Sequence, residues 1–180
     1  MRLDVPYVPS FLGVREVPHY ITLLDRLRHC RPELWPDVLL VDGNGILHPR
    51  LEAASHLGVV ANVATIGVSK SFFNMDSMNE TQIRDAFAAQ CKSKGEHMEL
   101  RGAHTMAHPF GRLWGYAYKS TDEARSRNAV YVSVGHNIDL ATAISIVDTT
   151  CVYRVPEPIR IADQLGRAKI AALSSVEKAI

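Results

Sequence analysis

Asp42, Glu16, Lys70 and His136 are the side chains best placed to do chemistry. Asp42 closes the apolar run Val38-Leu39-Leu40-Val41 and is followed by Gly43-Asn44-Gly45. A carboxylate at the C-terminal end of a buried strand lies where open α/β sheets bind ligands, and the glycines admit close approach of a substrate backbone. The same pattern also describes an Asp that merely starts a turn. Glu16 stands just ahead of Pro18, where a helix dipole favours a carboxylate whatever its function. Brought to one sheet edge, Glu16 and Asp42 could hold Mg²⁺, a hard cation that takes oxygen ligands and keeps several waters. Phosphodiester hydrolysis needs such an ion to activate water and to neutralise the transition state. Lys70 ends the apolar stretch Val63 to Val68 beside Ser69, as a partner for phosphate charge or as an ordinary surface lysine. His136, in Ser133-Val134-Gly135-His136, could be a general acid/base, a phosphate contact or a structural helix cap. His48-Pro49-Arg50 follows the glycine loop, either as phosphate partners near Asp42 or as a solvated turn. Tyr7 and Val8 are bracketed by Pro6 and Pro9. A rigid aromatic there can stack on a base or wedge into a base step, or it can pack on the edge of the domain.

These residues need a frame. Pro6 and Pro9 predict an extended entry. Tyr20, Leu23, Leu24 and Leu27 recur at helical spacing after Pro18, and Pro32 and Pro36 end that helix. Val38 to Val41 reads as a strand buried on both faces, Ala53 to Leu57 as a short helix and Val63 to Val68 as a second buried strand, together a βαβ unit. Asn79 is an expected N-cap for a helix through Ile83, Ala86, Phe87 and Gln90. Arg112 to Tyr118 and Val130 to Val134 read as strands, Leu140 to Val147 and Ile159 to Leu173 as helices. The fold class expected is α/β, one domain over residues 1–180, with a mostly buried sheet.

Composition narrows the function classes. The chain has 180 residues, 47% hydrophobic and 22% charged, a globular balance that excludes a disordered or collagen-like chain. Lys+Arg 20 against Asp+Glu 19 leaves +1, so nucleic-acid binding must come from a local site and not from a global basic field. Cys30, Cys91 and Cys151 form no CxxC pair, which argues against a zinc ribbon or a disulfide framework and for a reducing compartment. The expectation is a soluble intracellular monomer with no membrane segment and no signal-peptide core. No GxGxxG or P-loop supports a nucleotide cofactor.

Seven stretches, in order, resemble the endonuclease V family in its animal form: Pro6-Tyr7-Val8-Pro9, Phe11 to Glu16, Leu39 to Arg50, Ser55 to Val59, Ile66 to Lys70, Val132 to His136 and Arg154 to Arg160. The resemblance implies an RNase H-like fold, a mixed sheet flanked by helices. It implies Mg²⁺-dependent cleavage of inosine-containing nucleic acid, single-stranded RNA or deaminated DNA, at a phosphodiester displaced to the 3′ side of the inosine. By the same resemblance Tyr7 is the wedge, with Pro6, Val8 and Pro9 shaping it. Asp42 is a direct metal ligand, Glu16 holds the metal or its waters, and Lys70 and His136 contact the reacting phosphate or leaving group. Leu12 and Gly43 line the hypoxanthine pocket and His48 supports that loop. A cytoplasmic location, with the nucleus or nucleolus as a second site, follows from the same likeness.

The sequence also departs from the family pattern. The family's first catalytic Asp lies on a strand preceding the Pro-Tyr motif, so that ligand and the N-terminal strands are expected to be missing and cleavage impaired. Ser10 stands where the family usually has Gly. Arg50-Leu51-Glu52-Ala53 is shorter than the family's stretch and lacks its pocket glycine, and Asn137 follows His136 where a basic residue is usual. The alternatives are a relative that binds inosine-bearing RNA without cutting, and an α/β small-molecule binder built on the Asp42 loop.

Overall fold

The computed structural model describes residues 6, 8–50, 52–122 and 128–177. Its strands are Val38–Asp42 (β1), Ala64–Ser69 (β2), His97–Arg101 (β3), Leu113–Tyr118 (β4) and Val130–His136 (β5). They form one 5-stranded mixed sheet in the order β1-β2-β5-β4-β3, with β1 and β2 parallel and the other pairs antiparallel. The helices are Leu12–Cys30 (α1), Ala53–Ala61 (α2), Glu80–Gln90 (α3), Leu140–Thr150 (α4) and Glu157–Glu177 (α5).

Alternation along the strands builds the layers, because successive side chains point to opposite faces. Leu39 and Val41 pack with α1 and α2, while Val38 and Leu40 pack into the cluster of α4 and α5. On β5, Tyr131 joins the α3 cluster, and Val130 and Val132 join that of α4 and α5. The first three helices therefore cover one face and the last two the other. Asn79 caps α3 as expected, its Oδ1 accepting from the amides of Thr81 and Gln82 at 3.0 and 3.3 Å.

Three elements differ from expectation. The first helix begins at Leu12, not at Pro18, which lies inside it. Burial of Gly13 and Val17 extends it toward the N-terminus, and the amide that Pro18 lacks removes only the bond to the exposed Val14. β1, read as buried on both faces, is an edge strand among the described residues: it pairs with β2 alone, and Val38 to Leu40 are half-buried. β3 was not anticipated, since in His97-Met98-Glu99-Leu100-Arg101 only Leu100 is fully buried. Such an edge strand, charged along its outer positions, carries a weak apolar signal.

The segment after β1 crosses the sheet face in place of a helix. The Ile46 amide donates to the Val134 carbonyl at 2.8 Å and the Gly45 amide to Ser133 Oγ at 3.0 Å. Bare backbone makes this possible: a Cβ on Gly67 would collide with the Gly45 nitrogen, and one on Gly45 with the Val134 carbonyl. Leu47, at the far end of the crossing, is 1% exposed in the α3 core. The glycines thus fix where the segment beyond Asp42 lies. Among the described residues no helix is long and apolar enough to cross a membrane.

Candidate active site

The parallel pair β1 and β2 ends at one edge of the sheet, and Asp42 and Lys70 stand there together. Asp42 is in register with Val68, which brings Lys70, just beyond β2, within reach. Its Nζ donates to Asp42 Oδ2 at 2.8 Å, with both side chains about half exposed (48% and 44%). An ion pair that wet contributes little stability, so its groups remain available to a ligand.

Glu16 lies close by on α1. Its Oε2 accepts from the Tyr20 hydroxyl at 2.8 Å. The Tyr20 phenol is pushed well above its usual range by burial first, then by that hydrogen bond and by the charges of Glu16 and Asp42. Tyr20 therefore senses both carboxylates. A groove of about 420 Å³ runs along the open edge of β1 between α1 and α5, lined by Tyr20, Leu24, Leu40, Asp42, Ile159 and Asp163 among others. Asp163, paired with Arg167 at 3.0 Å, is a second carboxylate on the groove that Asp42 enters.

The predicted base-pocket residues converge on the start of α2. A Cβ on Gly13, next to Leu12, would lie 3.0 Å from the Ala53 Cα, and one on Gly43 would lie 3.8 Å from the Ala53 Cβ. Glu52, at the cap of α2, accepts from the Asn44 side-chain amide at 3.1 Å. Arg50 lies 4.8 Å over the Phe11 ring, tying the loop to the entry of α1. His48 is 2% exposed and edge-on to Phe73 at 4.9 Å. Its Nδ1 accepts from the Arg50 amide at 3.3 Å. Burial holds its pKa below the usual histidine value; the Arg50 charge lowers it further and the Glu52 charge partly opposes the shift. The ring is thus neutral with its proton on Nε2, which is buried and has no partner among the described residues. Pro6, Val8 and Pro9 are exposed, and Tyr7 lies outside the described residues.

Among the described residues no three His, Cys, Asp or Glu side chains form a group that could enclose a metal ion. What faces the groove is a sparse carboxylate set, Asp42 and Asp163, with Glu16 behind Tyr20. Oxygen donors few in number suit a hard ion that keeps most of its water, as Mg²⁺ does, and offer nothing to a softer metal.

The Endonuclease V family model matches residues 1–164. The chain belongs to the endonuclease V family. It is 37% identical over 171 residues to human endonuclease V, covering 94% of this chain and 58% of the human protein. To mouse endonuclease V it is 38% identical over 169 residues, covering 93% of this chain and 48% of that one. The chain thus spans about half the length of these curated relatives. The crystal structure of human endonuclease V superposes with a TM-score of 0.85 at 36% identity, over 96% of this chain and 69% of that one. A Ciona intestinalis endonuclease V, solved with a 24mer DNA containing an inosine followed by a ribo-adenosine, gives 0.86 at 32% identity over 96% of this chain and 71% of its own. The mixed sheet flanked by helices is the endonuclease V architecture.

Within that architecture, His136 is not brought to Asp42. It pairs with Thr65, whereas Asp42 is level with Val68, a separation of about 10 Å along the strand direction. A Cβ on Gly58 would meet the His136 side chain, so His136 faces α2, while Asp42 alternates with Leu40 toward α5. Asp163 is the residue that sequence reasoning missed. Its spacing to Arg167 is that of an ordinary surface pair one helical turn apart. The available signal was its place one turn after Ile159, which is 6% exposed against the sheet.

Proposed function

We propose that the chain acts as a metal-dependent endonuclease on inosine-containing nucleic acid, cutting a phosphodiester on the 3′ side of the inosine. The observation that carries this reading is the exposed Asp42–Lys70 pair at the C-terminal ends of β1 and β2, opening onto a groove that Asp163 shares. Family membership supports it, as does the inosine-containing DNA bound by the Ciona relative.

Asp42 and Asp163, with Glu16 through water, would hold Mg²⁺. Bound there, the ion supplies charge neutralisation and an activated water. Lys70 is a strongly hydrated point charge on a flexible stem; rotation carries it from Asp42 to a phosphate oxygen, where it offsets charge that builds up as the bond breaks. Tyr20 holds Glu16 in place through its hydroxyl. Leu12, Gly43 and His48 surround the start of α2, where backbone groups read the Watson–Crick edge of a flipped hypoxanthine. A close-fitting pocket there would exclude the exocyclic amine that distinguishes guanine. Tyr7 fills the gap left by the displaced base, with Pro6, Val8 and Pro9 stiffening it. His136, on the other face, takes no part in bond breaking.

The test is cleavage of a labelled single-stranded RNA carrying one inosine, with Mg²⁺, beside the guanosine control and the DNA equivalent. The expected result is a weak cut displaced to the 3′ side of inosine, impaired for want of the family's first Asp, that disappears with Asp42→Ala. Inosine-selective binding without a cut replaces this reading with that of a non-catalytic relative. A folded chain that neither cuts nor binds overturns both.

A further inference from the structure

Beside Lys70, on the α3 face of the sheet, lies a second recess of about 170 Å³. Lys70, Glu80, Arg84, Asn128 and Tyr131 line it, over Phe87. Lys70 therefore stands between two spaces, the Asp42 end of the groove and this recess. The recess is too small for a drug-sized ligand, whose pockets run to roughly 300–1,000 Å³, and is matched to one phosphate or one sugar.

Its charge is positive on balance. Arg84 and Arg154 both act on the Tyr131 phenol, opposing the effect of Glu80. Arg154 stands behind the wall, where its Nη2 donates to the Ala129 carbonyl at 3.2 Å. Lys70, Arg84 and Arg154 thus outnumber the nearby carboxylates, Glu80 and the Asp42 that pairs with Lys70, in a chain whose net charge is only +1. Arg84 is exposed, and among the described residues no carboxylate forms a salt bridge with it. Asn128 adds an exposed side-chain amide, and Tyr131, fixed against Phe72 at 5.5 Å between ring centroids, closes the floor. A planar guanidinium, an ammonium and an amide around a small concavity match the donor pattern that phosphate oxygens accept.

Resting on the nuclease reading above, we propose that this recess holds a backbone phosphate of the single strand next to the one engaged at Asp42 and Lys70, with Arg84 as its principal contact. Glu80, one turn from Arg84 on α3, repels the anion and so confines it to the part of the recess formed by Lys70, Arg84 and Asn128. Lys70 links the two positions, so the strand is held in register across the end of the sheet. Phosphate contacts of this kind position a strand without reading its sequence.

The test is equilibrium binding of a fluorescent single-stranded oligonucleotide with one inosine, in chelator so that no cleavage occurs, over a range of salt. Arg84→Ala is expected to weaken binding by about three- to tenfold at low salt and to lower the slope of log K against log salt by about 0.7, the value of one single-strand phosphate contact. Arg84→Lys should recover most of the slope. Arg26→Ala, on the exposed side of α1, should change neither. A scan that replaces one linkage at a time with an uncharged methylphosphonate should show a single position costly to the wild type and harmless to Arg84→Ala. Inorganic phosphate at millimolar concentration should compete far less well than the oligonucleotide. Unchanged affinity and slope in Arg84→Ala, with thermal melts showing both proteins folded, overturn the subsite and leave the nuclease reading intact. Cleavage that fails while the methylphosphonate position persists removes the nuclease reading and keeps the subsite. A wild type with no salt-dependent binding removes both.

Discussion

Gly67→Ala tests whether the segment after Asp42 is positioned by bare backbone. The added methyl would meet the Gly45 nitrogen, the Asn44 carbonyl carbon and the Gly43 carbonyl oxygen. All are backbone atoms of the crossing segment, and none is the free end of a flexible side chain. Relief requires lifting that segment off β2, which strains the Ile46 to Val134 bond and the Leu47 anchor in the α3 core. Overpacking of this kind costs about 2–3 kcal/mol. At roughly 2–4 °C per kcal/mol for a chain of this size, the melting temperature should fall by about 4–12 °C. The lifted segment carries Gly43 and His48, so selectivity for inosine over guanosine should fall as well. Gly166→Ala is the matched control: nothing lies within 4 Å of its Cβ position, in the middle of α5. It should gain about 0.5–1 kcal/mol from helix propensity. Chemical and thermal melts, with paired binding curves for the two bases, read both variants. Wild-type stability and selectivity in Gly67→Ala would refute the crossing-segment account.

Two further outcomes follow from particular residues. Ser10 sits at φ 69°, in the left-handed region that glycine enters without steric cost, so Ser10→Gly should stabilise the chain by about 0.5–1 kcal/mol; a lower melting point would show that the Ser10 side chain makes a favourable contact. His48 has its folded pKa below the 6.5 of the free side chain, so protonation favours the unfolded state. Its contribution is complete above that value and is lost as the pH falls below it. The wild type should therefore lose stability on going from pH 7 to pH 5.5, and His48→Gln should flatten that part of the curve; an unchanged slope would place the titrating group elsewhere.

The sequence alone determined the sheet strands that are apolar over their whole length, the helix capped by Asn79 and the ends of α2 to within a few residues. Each is a local property: apolar periodicity, a capping side chain or a proline break acts over a few neighbours. The run Val38 to Val41 followed by Asp42 and two glycines likewise marked the candidate site, because a strand end and a turn are both written in adjacent residues. Tertiary structure decided the rest. His136 and Lys70 each follow an apolar strand and look equivalent in sequence, but β5 runs antiparallel to β2, which sends His136 away from Asp42. Asp163 and Arg84 resemble ordinary surface charges on helices, and only the packing of α5 along β1 and of α3 beside Lys70 gives them neighbours that matter. Gly67 reads as a weak point in a strand until the segment after Asp42 is seen lying across it. Strand direction, helix placement and backbone crossings are contacts between residues far apart in the chain, and no local pattern encodes them.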